Sequence, residues 1–292
     1  MKPIVPNNKK AQRMEENLVL IEHPAEGVAR IVLNRPDKRN AQTKDMIYQL
    51  NDAFDVCAQD DAVKVIILAA NGPHFSAGHD LSDYSVPMDA FTPVSTAGGF
   101  TLPGAEGYMA VETEIYLGMC WRWRNIPKPT IAEVQGKVIA GGLMLVWPCD
   151  LVVASSDATF SDPVVVFGVN GHEFFTHVWE LGARRAKELL YTGFPITADE
   201  GKLIGMVNKV VPREDLQRET LELAIHISRR PSMGLKLAKQ SVNQSLDAQG
   251  QWQAIQAAFG LHQLGHSHNR EVHGSYIDPS GAEIIRTENK PK

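Results

Sequence analysis

Gly141 and Gly142 stand where a helix should begin, just ahead of the apolar run Leu143-Met144-Leu145-Val146. A helix start presents N–H groups with no intrahelical acceptor and about half a positive charge, so it favours an anion. The same pair of glycines also fits close packing of a helix on a strand. A second place with chemical promise is His172-Glu173, which follows the turn-rich Gly168-Val169-Asn170-Gly171 and precedes an apolar helical pattern. An imidazole changes charge near neutrality, and a carboxylate beside it could move a proton or orient the ring. Both could equally flank a surface helix, where an acid in the first turn is ordinary. Asp162 is a weaker candidate for the same work. Lys38 and Arg39 suit phosphate oxygens, or simply form a solvated turn. Tyr116, Trp121 and Trp123 could line an apolar pocket or fill core and subunit contacts. His266 and His268 supply too few ligands for a metal and read as polar surface or interface residues.

These groups need a scaffold, and the hydrophobic periodicity outlines one. Strand-like runs occupy Leu18–Ile21 and Val28–Leu33, with Ala25-Glu26-Gly27 as the turn. Thr43 can cap a helix whose Met46, Ile47, Leu50, Phe54 and Cys57 recur at helical spacing. Val63–Ala69 is a short apolar run, read as a strand buried on both faces. The stretch Ser85–Gly107 is broken by prolines and glycines and reads as a lid, a binding loop or a disordered segment. A helix then fits Tyr108–Arg124, because Pro127 and Pro129 forbid its continuation. Thr130–Val134 and Leu151–Ala154 read as buried strands. Between them, Gly136–Cys149 reads as a turn opening a buried helix. Helices at Thr176–Tyr191 and Ala198–Ile204 and a strand at Met206–Val211 complete the core. After Pro212 come three helical patterns without a strand, Glu214–Arg229, Met233–Leu246 and Trp252–Leu264. The chain thus divides into a polar, mobile segment (1–16), an α/β core (17–212) and a helical C-terminal subdomain (213–292), with a polar tail at Thr287–Lys292.

Bulk composition narrows the class. The 292 residues are 43% hydrophobic and 22% charged, as expected of an ordinary globular protein. A net charge of -5 gives no sign of a nucleic-acid-binding surface. Cys57, Cys120 and Cys149 form neither a CxxC pair nor a disulfide framework, which fits reduced thiols in the cytoplasm. No signal-peptide pattern opens the sequence, and no apolar stretch is long enough for a membrane span.

Three segments, in order, carry a resemblance. Arg35-Pro36-Asp37-Lys38-Arg39-Asn40-Ala41 follows the second strand, and Phe75-Ser76-Ala77-Gly78-His79-Asp80-Leu81 follows the Val63–Ala69 strand. Lys128-Pro129-Thr130 through Gly136, then Ala140-Gly141-Gly142, precede Cys149-Asp150-Leu151. From about Leu18 to Val211 the series resembles the crotonase (enoyl-CoA hydratase/isomerase) superfamily. The resemblance implies an α/β fold, a crotonase/ClpP-like spiral of ββα units, with C-terminal helices that build a homotrimer or a dimer of trimers. It implies an acyl-CoA substrate, no separate cofactor and no metal. By similarity, the backbone N–H groups of His79 and Gly141 form an oxyanion hole for the thioester oxygen. Coenzyme A would lie along Lys38, Arg39, Ala41 and the stretch Ala77 to Leu81, including Asp80.

The chain also departs from the family. The two glutamate positions of the hydratases hold Met144 and Val164, neither of which can transfer a proton. They would make that part of the acyl pocket apolar. Some relatives place an aspartate eight residues beyond the second position, and here His172, followed by Glu173, stands there. Three readings follow: an acyl-CoA hydratase or isomerase using His172 or Glu173, an acyl-CoA hydrolase, or an acyl-CoA-binding protein without catalysis.

Overall fold

The computed structural model describes residues 17–83 and 87–288. Residues 1–16, residues 84–86 (which include the head of the long loop) and 289–292 in the tail lie outside the described residues.

A six-stranded sheet organises the chain. β1 (Val19–Ala25) pairs antiparallel with β2 (Val28–Leu33). The register then runs parallel through β3 (Val65–Ala70), β4 (Thr130–Val134), β6 (Leu151–Ser155) and β9 (Lys209–Val211). β2, β3 and β4 are buried at every position, which is why their sequences are apolar runs rather than alternations. Helix α1 (Lys44–Gln59) covers one face. Thr43 caps it by accepting a hydrogen bond from Met46 N, and its predicted apolar stripe is buried. Helix α7 (Leu216–Ser228) covers the other face, with Leu216 and Ala224 packed against Val28, Val65, Ile67 and Val153.

A second sheet was not legible in the hydrophobic pattern. β5 (Lys137–Ile139), β7 (Thr159–Ser161) and β8 (Ile196–Thr197) are two or three residues each, too short to show a period. β4 leads into β5, and β6 into β7, so each turn of chain gives one strand to each sheet. The turn that follows β3 joins the second sheet only through the bridge of Ser76 to Val138. This winding is the spiral, and it brings the loop after β3 alongside the loop after β5.

The expected helix ending at Arg124 is present but composite. α2 (Ala105–Glu112) passes through a π-helical segment (Thr113–Gly118) into α3 (Met119–Arg124). The π segment buries four consecutive residues, Glu114 to Leu117, which an α-helical face would not do. Its Glu114 accepts from Tyr48 Oη at 3.0 Å and from Val94 N at 2.6 Å, and so fastens the long loop to the core. Among the described residues that loop contains a 3₁₀ turn, Met88–Ala90, and its last residues, from Ala105, already belong to α2.

Helix α4 (Leu143–Val146) follows Gly142, α5 is His177–Thr192, and α6 is Ala198–Ile204 with a Thr197–Glu200 capping box. After α7 come α8 (Ser232–Ala248), α9 (Gln251–His273) and α10 (Gly281–Glu288). α9 is longer than its sequence pattern, so His266 and His268 lie within it rather than beyond it. Its Ile255 and Phe259 join the main core, which ties the C-terminal helices to the sheet layers. Among the described residues no helix is long and apolar enough to cross a membrane.

Candidate active site

The loop after β3 and the 3₁₀ turn after β5, Ala140–Gly142, meet across Gln42. Gln42 is buried. Its Nε2 donates to Gly141 O at 2.8 Å and to Ser76 Oγ at 3.3 Å. Gln42 N donates to Gly78 O, and Asp80 N donates to Gln42 O. That bridge uses the residues on either side of His79, so among the described residues the His79 N–H has no acceptor. Gly141 is the second residue of its turn, where an N–H has no intrahelical acceptor either. Two unsatisfied amides are thus set side by side.

Close approach explains the glycines. Gly78 has φ +87, and a Cβ there would lie 2.8 Å from Ile139 O and 3.2 Å from Gly141 N. Ala140 sits at φ 47, a left-handed conformation that costs an alanine about 1–3 kcal/mol. The strain is held where the turn must aim the next amide.

The His79 side chain lies directly over Gly141. A Cβ on Gly141 would fall 2.5 Å from His79 Cε1. The ring stacks on Tyr116 at a centroid distance of 3.9 Å. Because Gln42 Nε2 donates to Gly141 O, its Oε1 faces the ring and accepts from His79 Nδ1 at 3.2 Å. The other nitrogen, Nε2, lies 3.2 Å from Glu173 Oε2. One proton therefore sits between this ring and this carboxylate. Burial alone would raise Glu173, but the His79 charge and hydrogen bond hold it far below the usual carboxylate range.

Beside this pair a cavity of about 190 Å³ is lined by Lys44, Asp80, Met88, Phe100, Glu112 and Tyr116, among others. Of the residues expected to bind coenzyme A, Asp80 lines this cavity, whereas Lys38 lines a separate surface pocket with Arg35 and Asp37. Lys38 and Arg39 are exposed and make no ion pair among the described residues. Ala41 N donates to Lys38 O, and Ala77 N donates to Arg39 O at 2.9 Å, so the two segments run together. Asp80 is engaged by Arg35 at 2.6 Å, and Leu81 is exposed.

With the geometry in place, comparison with known proteins is decisive for the family. Residues 23–277 match the family model "Enoyl-CoA hydratase/isomerase". The chain belongs to the enoyl-CoA hydratase/isomerase family. It is 46% identical over 256 residues to EchA13 of Mycobacterium tuberculosis, named as an enoyl-CoA hydratase, covering 86% of this chain and 80% of that one. A crystal structure from Mycobacterium thermoresistibile, also named as an enoyl-CoA hydratase, superposes with a TM-score of 0.83 at 44% identity. That match covers 90% of this chain and 100% of the other. A monofunctional enoyl-CoA isomerase of Mycobacterium smegmatis matches with a TM-score of 0.64 at 26% identity, over 80% and 95% of the two chains.

Within this enoyl-CoA hydratase/isomerase family chain, several candidate residues lie elsewhere than the sequence placed them. Met144 is 1% exposed in the core, and neither it nor the half-buried Val164 lines the cavity; Phe100, Val111 and Tyr116 do. Trp121 stacks on Trp252 and Trp123 packs on Phe54, whereas Tyr116 belongs to the site. His172 and Glu173 part company. The Glu173 side chain turns to His79. The His172 ring turns into the interior against Trp147 and His177, and among the described residues neither of its nitrogens has a hydrogen-bond partner. Burial pushes His172 down to about 3, so it stays neutral. His266, read from sequence as a polar surface or interface residue, is buried within the chain against His262 and Glu112. Gln42, Glu112 and His262 were not singled out. Only the i, i+4 spacing of His262 and His266 was available as a signal.

Asp162 is structural. It is fully buried and accepts from His172 N at 3.0 Å and His177 Nε2 at 2.8 Å, which fixes the turn that presents Glu173. Burial would raise its carboxyl, but His177 and His172 together hold it below the usual range. A depressed folded-state value contributes stability above the unfolded value, near pH 4, and that contribution is lost as pH falls through the folded value. Asp162→Asn should therefore cost about 3 kcal/mol at pH 7. The difference from the unsubstituted protein should shrink below pH 4. Denaturant unfolding at pH 7, 5 and 3 measures this, and an equal stability at pH 7 would contradict it.

Proposed function

We propose that this chain is an acyl-CoA enzyme that forms a thioester enolate, with Glu173 carrying the proton. The observation behind this reading is the contact of Glu173 with the ring that covers Gly141. A thioester oxygen placed between the His79 and Gly141 amides must displace that ring, and Glu173 is then the carboxylate facing the vacated space. Developing negative charge on the oxygen meets two N–H donors already in position, so no reorganisation is needed as the charge forms. Glu173 takes the proton from the α-carbon beside the thioester and returns it at that carbon or, through the dienolate of an unsaturated acyl group, at the γ-carbon, which moves the double bond into conjugation. The apolar side of the cavity, Met88, Phe100 and Val111, receives the acyl body. Lys38 and Arg39 meet the phosphates of coenzyme A, which enters as part of the substrate, and no separate cofactor takes part.

Hydration calls for one group that deprotonates water and one that protonates carbon. Both family glutamate positions hold apolar residues here; of the acids near the site, Asp80 is paired with Arg35 and Glu112 stands on the cavity wall, and Glu173 is the one against the ring over Gly141. Moving a double bond needs only one carboxylate to shuttle a proton. This favours isomerisation, or a related enolate proton transfer, over two-carboxylate hydration. The protein acts in the cytoplasm as a homotrimer or dimer of trimers. Exposed Leu237 and Val242 on α8, and Leu261 and Leu264 on α9, are apolar surface for such contacts.

The test is exchange of α-protons of saturated and unsaturated acyl-CoAs in heavy water, followed by mass and by NMR. Deuterium at the α-carbon, with an isomerised but unhydrated enoyl product, is expected. Release of free coenzyme A would make the protein a hydrolase. Acyl-CoA binding without exchange would make it a binding protein, and either result overturns the proposal.

A further inference from the structure

Behind Glu173, away from the oxyanion site, lies a second group of polar side chains that the enolate chemistry does not use. His262 and His266 stand i, i+4 on one face of α9, and both are buried. His262 Nδ1 donates to Gly171 O at 2.8 Å, and His266 Nδ1 donates to Tyr276 O at 2.6 Å. A carbonyl oxygen can only accept, so both Nδ1 atoms carry hydrogen. Each neutral ring then has its lone pair on Nε2, and these two atoms face each other 2.8 Å apart. Two lone pairs cannot share that space unless something positive lies with them.

The surroundings favour a metal ion over a lone proton. Glu112 Oε1 is 3.6 Å from His266 Nε2, Glu112 Oε2 is 3.8 Å from His262 Nε2, and Glu173 Oε1 is 3.6 Å from His262 Nε2. These separations are too long for hydrogen bonds. The two 3.6 Å separations match the edges of about 3.3–3.6 Å between ligands bound at roughly 2.0–2.2 Å in a tetrahedral site, and the third is slightly longer. A proton would bridge only the two rings, whereas an ion uses every lone pair. For the ion the two rings must open by a few tenths of an ångström. No lysine or arginine pairs with buried Glu112 among the described residues. The outer partners are also those a site needs: carbonyls fix both imidazole tautomers, and Gln263 Nε2 donates to Glu112 Oε2 at 2.5 Å. A cavity of about 400 Å³ lined by Tyr108, Gln263, His266 and Arg270 gives a way in.

We propose that Glu112, His262 and His266 bind a divalent transition-metal ion such as Zn²⁺, with Glu173 Oε1 closing the fourth side. The ion joins α9 to the end of α2, where the π segment begins, and fixes the back of the residue whose front faces the thioester. Its role is positional.

The test uses the full chain without any acyl-CoA, so its result is independent of the proposed reaction. Protein stripped with a chelator is loaded with Zn²⁺ or Co²⁺, freed of excess by gel filtration, and assayed for metal. About one ion per chain is expected, with visible absorption of tetrahedral Co²⁺ and a raised Tm. Retention should fall roughly tenfold or more in His266→Ala and in the isosteric Glu112→Gln. It should be unchanged in His268→Ala, whose histidine is exposed on the same helix. Retention of no ion by the unsubstituted protein, or equal retention in His266→Ala and Glu112→Gln, would overturn the site.

Discussion

Replacing Glu173 with glutamine should lower the rate of α-proton exchange by about 10²–10⁴-fold, the usual worth of a positioned general base. Glutamine keeps the size and polarity of the side chain. It can still hydrogen-bond the His79 ring, now 3.2 Å from the Glu173 Oε2 atom. It cannot accept a proton. Affinity for a coenzyme A thioester should change little, because the Lys38–Ala41 segment and the two amides are untouched. The loss should therefore fall in kcat with KM nearly constant, the signature of a group used only in the transition state. The companion variant His172→Ala should leave exchange within a few-fold of normal, provided it folds, because that ring faces Trp147 and His177. Full exchange by Glu173→Gln would remove the base and the proposed reaction with it.

The second large effect is expected at Gly141. The Gly141→Ala variant should keep its fold, since Gly141 is not among the residues with positive φ and alanine suits a helical start better than glycine does. Its added methyl group would stand 2.5 Å from His79 Cε1 and 2.7 Å from Nδ1. The ring is pinned by Gln42, Glu173 and Tyr116, so it must break those contacts to escape. Even then the methyl occupies the space that the thioester oxygen needs. Activity should fall about 10²–10³-fold, comparable to removing one oxyanion donor. His79→Ala supplies the contrast. It retains the main-chain amide and clears the ring, so it should bind acyl-CoA at least as well as the unsubstituted protein. Calorimetric binding and exchange rates on the pair distinguish a backbone site from a side-chain one. Normal turnover by Gly141→Ala would show that the thioester oxygen lies elsewhere.

The parts of the molecule that were legible share one property: local patterns that need no partner. Val65–Ala70 is apolar throughout because both its faces are covered, and Thr43 caps α1 by a bond three residues away. The short strands β5, β7 and β8 had no such signal, because two or three residues cannot display a period. The π segment was hidden for a related reason. Its four consecutive buried residues satisfy contacts with α1 and the long loop, not a helical face.

The site divides along the same line. Sequence alone determined which amides and glycines stand after β3 and β5, and that the two family glutamates are absent, since residue identity is written in the chain. It also brought His172 and Glu173 forward as neighbours, with chemistry suited to either. Only the tertiary structure shows that their side chains point apart. Side-chain direction at a turn depends on what the turn packs against. Asp162 holds the His172 amide from within, so the imidazole points inward and the next carboxylate points at His79. The gathering of Glu112, His262 and His266 was likewise invisible, because it joins two helices about 150 residues apart whose meeting is set by the core between them.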